Sequence, residues 1–233
     1  MIEQNLSKIR ASIRDVALRC GRNPGDIKLV AVSKRFPVAA VKQAQAAGQT
    51  LFGENYLQEA VEKRNALQDT IQLHFIGHLQ SNKAKLCADT CDMIETVDRL
   101  KLASILNKHC EQNNRFLNIL VQVNIGLDNH KSGVPPEDTE LLLRQIQKMN
   151  KLRLLGLMTM PPYTAEPEDA RPYFRNLRIL AEIMQAKGLL GYHGTVELSM
   201  GMSHDYHIAI EEGATFIRVG TAIFGQRPPL KTA

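Results

Sequence analysis

A chain of 233 residues is long enough for one large domain or two small ones, and a core of that size needs no disulfides or structural metal. Its 44% hydrophobic and 23% charged residues are an ordinary globular composition, and no apolar run approaches the roughly 20 residues that cross a bilayer. The net charge of +5 would suit nucleic acid, but the basic residues are interleaved with acidic ones. Aromatics are only 5% with no Trp, so a base-stacking surface is poorly supplied.

The polar, charged start from Met1 to Lys8 does not read as a secretory signal. Cys20, Cys87, Cys91 and Cys110 form no Cys-x-x-Cys pair, so reduced thiols in the cytoplasm are expected rather than disulfides or a metal site.

Apolar residues at Ile2, Leu6, Ile9, Ile13 and Val16 predict a first helix that Gly21 and Pro24 end. The run 27–32 then reads as a buried strand, with Lys34 just past its end. Pro37 opens a helix that Gly48 closes. The strand–helix unit recurs, with further strands at 50–52, 73–76, 93–96, 119–125, 152–158, 195–198 and 215–219. Helices are predicted at 55–65, 82–88, 99–113, 137–149, 167–186 and 204–211, with a last one after Thr221. About eight such units in one chain predict an α/β fold of the TIM type, a (β/α)8 barrel in a single domain spanning 1–233, with an extra N-terminal helix. An open doubly wound sheet fits less well, because no Gly-x-Gly-x-x-Gly turn follows the first strand. The Pro228-Pro229-Leu230-Lys231 tail is left unassigned.

Active sites of such barrels gather where strands end. Polar or glycine-bearing ends stand at Ser33-Lys34, Gly53-Glu54-Asn55, Gly77-His78, Asn124, Thr159, Ser199-Met200-Gly201 and Gly220-Thr221. A lysine at the mouth can lose its proton and attack carbonyls, with Arg35 and Arg218 supplying a cationic field; a plain surface lysine is the alternative. Gly220-Thr221 at the head of a last helix suits an anion, with Ser199 placed to complete the cup, although Gly220 could serve only a tight turn. Arg218 alternates onto the face of Phe216 and Gly220. Such a buried arginine is half of an ion pair, a snorkelling residue, or a donor to a ligand's ring nitrogen. His204 and His207 lie three apart without the partners of a metal motif, so no metal is expected. His74 reads as an internal residue, and His78 as a loop residue within reach of a ligand.

These residues resemble a known family. Ala31-Val32-Ser33-Lys34, Phe52-Gly53-Glu54-Asn55 and His74-Phe75-Ile76-Gly77-His78-Leu79-Gln80-Ser81-Asn82 are similar to segments of the pyridoxal phosphate homeostasis proteins, the YggS/PROSC family. Leu198-Ser199-Met200-Gly201 and Arg218-Val219-Gly220-Thr221 extend the resemblance over nearly the whole chain. Leu73 departs from it, where an aromatic residue is expected before the His-Phe pair.

The resemblance implies a barrel like that of alanine racemase without its second domain, holding pyridoxal 5′-phosphate as a Schiff base on Lys34. By the same resemblance Arg218 faces the pyridine nitrogen, Ser199, Gly220 and Thr221 hold the phosphate, and Asn55 lies near the ring or phosphate. Lys131 resembles a second family lysine on a mobile loop that assists transfer. An arginine-faced ring is a poor electron sink, and racemisation needs a second base, so a monomeric carrier that delivers cofactor to apo-enzymes is expected, with no catalytic residues. A racemase or other Schiff-base enzyme, using Tyr56, His78 or Lys131 as second acid, is the alternative. A class I aldolase-type enzyme on phosphorylated sugars comes third.

Overall fold

A computed structural model describes residues 1–128 and 130–226, so the Pro-rich tail lies outside the described residues. The strands β1 (Lys28–Val32), β2 (Leu51–Glu54), β3 (Gln72–Phe75), β4 (Met93–Val97), β5 (Leu117–Gln122), β6 (Leu152–Met158), β7 (Glu197–Met202) and β8 (Phe216–Val219) pair in parallel and in chain order. Pairing of β1 with β8 closes the barrel. The helices α2 (Val38–Ala46), α3 (Leu57–Leu67), α4 (Ala84–Thr90), α5 (Leu100–Gln112), α6 (Pro136–Ile146), α7 (Arg171–Ala186) and α8 (Tyr206–Glu211) connect the strands. Before them stands α1 (Ile2–Arg19), and α9 (Thr221–Phe224) follows β8. The (β/α)8 barrel with an N-terminal helix that the sequence predicts is the fold observed.

Strand alternation divides the apolar residues into two layers. Leu29, Ala31, Phe52, Leu73, Phe75 and Ile217 join the layer packed against the helices. Val30, Leu51, Met93, Leu120, Met158 and Phe216 form a separate cluster inside the barrel. Helix faces match: α7 buries Phe174, Leu177, Ala181 and Met184 at helical spacing. Helix α1 buries Leu6, Ile9, Ile13 and Val16 and packs on α8 and α9. Tyr206 Oη donates to Ser12 Oγ (2.8 Å), and Asn5 Nδ2 donates to the Ile223 carbonyl (2.9 Å), anchoring α9 beside the barrel mouth.

One boundary differs in a way that moves a site residue. The strand expected at 195–198 runs on to Met202, so Ser199, Met200 and Gly201 belong to β7 rather than to the loop after it. The β7–β8 register shifts between Ser199 and Met202, and Gly201 takes φ +88°. A Cβ at Gly201 would meet Ala209 Cβ at 2.5 Å, so glycine is what lets α8 close over this irregular strand. Among the described residues, no helix is long and apolar enough to cross a membrane.

Candidate functional site

Five of the six predicted site residues meet in one cleft of about 80 Å³ at the C-terminal ends of the strands: Lys34, Asn55, Arg218, Gly220 and Thr221. The sixth, Ser199, does not line it. It lies inside the barrel, fully buried, and Ser203, just past β7, is the hydroxyl at the mouth. The expectation that Ser199 completes the anion cup is therefore corrected, because β7 is longer than its sequence suggested. A larger cavity of about 670 Å³ opens at the other, N-terminal mouth between Arg10, Lys28, Gln72 and Glu197. Size does not make it the site, since the convergent polar loops of such a barrel are at the opposite end.

The Lys34 wall is held from behind. Lys34 stands two residues past β1, in a turn whose next residue, Arg35, takes the left-handed φ of +67°. That conformation is costly for a residue with a Cβ, so the surroundings must impose it. Glu59 Oε2 on α3 accepts the Arg35 N–H (2.6 Å), and Lys63 Nζ donates to the Ser33 carbonyl (2.8 Å). Lys63 also pairs with Glu54 Oε1 at the end of β2, which accepts the Ser33 hydroxyl at 2.5 Å. Lys63 and Glu54 are almost wholly buried. Burial pushes the Glu54 carboxyl up to about 7, against the pull of Lys63 and Ser33.

The Arg218 wall is held along the barrel axis. Arg218 Nη1 donates to Ser199 Oγ (2.5 Å), and Nη2 donates to the Thr159 carbonyl after β6 (2.8 Å). Ser199 Oγ donates to Glu95 Oε2 on β4 (2.5 Å), and Glu95 Oε1 pairs with His74 Nδ1 on β3 (2.6 Å). Arg218 is 3% exposed, His74 4%, Ser199 and Glu95 0%. Burial raises the Glu95 carboxyl, but His74, Arg218 and Ser199 together hold it below the usual carboxylate range. Burial lowers the Arg218 guanidinium, with Glu95 and then Asp205 opposing. Arg218 is thus buried with Glu95 acting on it from behind Ser199 rather than in direct contact, and it lines the cleft as well.

The third wall is the head of α9. Ile223 and Phe224 return their N–H groups to the Gly220 carbonyl (2.9 and 3.0 Å), so Thr221 and Ala222 offer N–H groups with no acceptor inside the helix. Gly220 N–H itself donates to Ser203 Oγ (3.3 Å). A Cβ on Gly220 would lie 3.3 Å from the Val32 carbonyl, tighter than ordinary contact, so glycine keeps β8 close to β1 here. Phe36 stacks on Phe224 with ring centroids 5.0 Å apart, tying the Lys34 loop to α9. The donor set fits an aldehyde-bearing aromatic phosphate: an amine in Lys34, N–H and hydroxyl donors at Thr221, Ala222 and Ser203, and a guanidinium in Arg218. Asn55 Oδ1, at the edge of the same cleft, is buried with no partner among the described residues.

The remaining candidates lie beside the cleft. His78 is bonded to Ser132 Oγ (3.0 Å) and shares a depression of about 190 Å³ with Lys131 that borders the cleft at Ile76 and Met160. Lys131 Nζ donates to the Met160 and Pro161 carbonyls, and burial lowers its amine pKa with Asp128 opposing. Tyr56 lines another depression with Asn55 and His78. His204 bonds the Ala165 carbonyl (3.2 Å) and stacks on Tyr163. The four cysteines are free. Among the described residues, no group of three or more His, Cys, Asp or Glu could hold a metal ion.

Sequence reasoning missed Glu95 and Lys63. Glu95 carried a usable signal, since a carboxylate in the apolar run Met93-Ile94-Glu95-Thr96 demands a buried partner just as Arg218 does. Lys63, flanked by Glu62 and Arg64, carried none.

The chain matches the alanine racemase N-terminal domain family over residues 4–228. It is 44% identical to the pyridoxal phosphate homeostasis protein of Pseudomonas aeruginosa, over 97% of this chain and 96% of that one. With the protein of the same description from Aquifex aeolicus it shares 40% identity, over 96% of this chain and 97% of that one. Among solved structures, PipY of Synechococcus elongatus PCC7942 with PLP (pyridoxal phosphate) bound superposes with a TM-score of 0.84 at 36% identity. That match covers 97% of this chain and 100% of PipY. By sequence along its length and by fold, the chain belongs to the pyridoxal phosphate homeostasis protein family.

Proposed function

We propose that this chain is a pyridoxal 5′-phosphate-binding barrel, one domain over 1–233, that holds the cofactor covalently through Lys34 and buffers and delivers it with little or no amino-acid turnover. The observation that carries this reading is the make-up of the cleft: Lys34 and Arg218 are the only ionisable side chains among the described residues lining it. When bound, pyridoxal phosphate supplies an aldehyde that condenses with amines and a ring that draws electrons from what is attached. Lys34 provides the amine. Thr221, Ala222 and Ser203 provide N–H and hydroxyl donors for the phosphate at the head of α9. Arg218 donates to the ring nitrogen and gives up no proton, which keeps the ring's pull on electrons low. Among the described residues, no second acid or base lines the cleft to exchange a substrate proton on the opposite face. The PLP-bound structure of PipY supports the cofactor, and the naming of the relatives supports the homeostatic role.

In this reading the chain acts in the cytoplasm as a monomer, and its macromolecular partners are apo-enzymes that need the cofactor. Lys131 favours a second, racemase-like reading, because its partly buried amine has a lowered pKa and borders the cleft. Turnover assays over a panel of amino acids, run beside reactivation of an apo-enzyme, separate the two. The carrier is expected to reactivate the apo-enzyme and to racemise nothing above the rate of free cofactor. Robust turnover that disappears in both Lys34→Ala and Lys131→Ala would establish the enzyme instead.

A further inference from the structure

The arginine wall contains an anion that never reaches the cleft. A guanidinium as buried as Arg218 needs a counter-charge nearby, because an unpaired buried ion costs several kcal/mol. The counter-charge here is Glu95, set one residue back: Ser199 stands between them, accepting from Arg218 and donating to Glu95. Glu95 is fixed in turn by His74, whose ring borders the cavity at the opposite mouth of the barrel. Four strands, β3, β4, β7 and β8, are thereby linked across the axis by side chains alone. Asp205, the other anion acting on Arg218, exerts the weaker pull and is occupied by the Met202 N–H (2.6 Å).

This arrangement has a chemical consequence. Two of the five guanidinium N–H groups are committed to Ser199 Oγ and the Thr159 carbonyl, and Arg218 still lines the cleft. A carboxylate touching the ring nitrogen would hold a proton on it; a carboxylate held behind serine cannot.

We propose that Glu95, tied to His74, is a positioning residue of the cofactor site: through Ser199 it fixes the Arg218 guanidinium and neutralises it from behind, so the ring nitrogen meets a donor that gives up no proton. The proposal rests on the reading that Arg218 faces that nitrogen. Its support is geometric: every oxygen of Glu95 has a named partner, and each link is at hydrogen-bond distance. The depressed Glu95 carboxyl agrees, since it stays charged at neutral pH.

The test uses the full chain loaded with ring-15N pyridoxal phosphate, with the ring-nitrogen resonance followed against pH. Wild type is expected to keep the neutral-pyridine position wherever the chain stays folded. Glu95→Gln preserves shape and removes the charge; its ring nitrogen is expected to become titratable, and the cofactor Kd to rise about tenfold, ~1.4 kcal/mol. Ser199→Ala leaves every charge in place and cuts only the bridge. It is expected to move the resonance the same way, with Kd raised about threefold, and it decides the matter if Glu95→Gln does not fold. A wild-type resonance and affinity in both variants overturns the positioning role. Arg218→Gln separates this from the underlying reading. If Arg218→Gln shifts the resonance while the other two do not, the positioning role alone falls. If Arg218→Gln is silent too, Arg218 does not face the ring nitrogen.

Discussion

Glu54 and Glu95 are both fully buried, one behind the lysine wall of the cleft and one behind the arginine wall, yet their carboxyl groups are driven in opposite directions. Glu95 has a partner on each oxygen, His74 on Oε1 and Ser199 on Oε2. Glu54 gathers Ser33 and Lys63 on Oε1 and leaves Oε2 without a partner among the described residues. Equal burial therefore does not set the charge. The neighbouring groups do: His74, Arg218 and Ser199 together outweigh burial at Glu95, whereas Lys63 and Ser33 do not outweigh it at Glu54, where Glu59 adds its repulsion. The arginine wall is built to stay in one charge state, whereas the lysine wall contains a group that titrates near neutrality.

The largest effect is expected from breaking the lysine wall. Lys63→Met strands a buried carboxylate and is expected to cost about 3–5 kcal/mol in chemical denaturation at about pH 8. The loss should shrink at about pH 5, where Glu54 takes up a proton instead. Equal losses at both pH values would show that Lys63 is not the counter-ion of Glu54.

The pH dependence of stability sharpens the contrast. Folded Glu54 holds its proton up to about 7, whereas an ordinary glutamate releases it near 4.5. Between these values the folded state carries more protons than the unfolded one, so this group's contribution to stability falls as pH rises. Glu95 runs the other way: its contribution is present above the ordinary carboxylate value and is lost as pH falls through its depressed folded value. Glu54→Gln is expected to flatten the neutral-side slope, on the order of 3 kcal/mol in total. Glu95→Gln is expected to flatten the acid side. A neutral-side slope that persists in Glu54→Gln assigns the titration to another group.

The smallest effect is at the rim. Ser203→Ala removes the acceptor of the Gly220 N–H and one candidate phosphate donor at a partly exposed site. Calorimetric titration is expected to show a loss of about 0.5–1.5 kcal/mol in cofactor binding with the melting temperature almost unchanged. A fall in melting temperature without loss of binding would make Ser203 a structural cap of the turn.

The barrel was legible because its signals are local. Apolar runs such as 27–32, closed by glycines and followed by amphipathic helices, repeat at the spacing of strand–helix units. Lys34, Asn55, Arg218, Gly220 and Thr221 were legible because they sit at or just past strand ends. Ser199 was misplaced since the irregularity that extends β7 depends on the packing of Gly201 against Ala209, which no local pattern reveals. The supports of the two walls were harder still: Glu54 meets Lys63 only when α3 packs back on β2, and Glu95 meets Ser199 only across the closed barrel. Arg218 and Glu95, each a charge in an apolar strand, announced that buried partners must exist, without saying where.

The central claim is the covalent hold on the cofactor at Lys34. Its most direct test is the absorbance spectrum of the purified chain and of Lys34→Ala after soaking in pyridoxal phosphate, followed by borohydride reduction and peptide mass mapping. The expected result is a visible band in wild type that reduction abolishes, with the cofactor mass on the peptide containing Lys34 and neither signal in the variant. A chain that stays colourless and unlabelled, or one that carries the label unchanged in Lys34→Ala, would contradict the account.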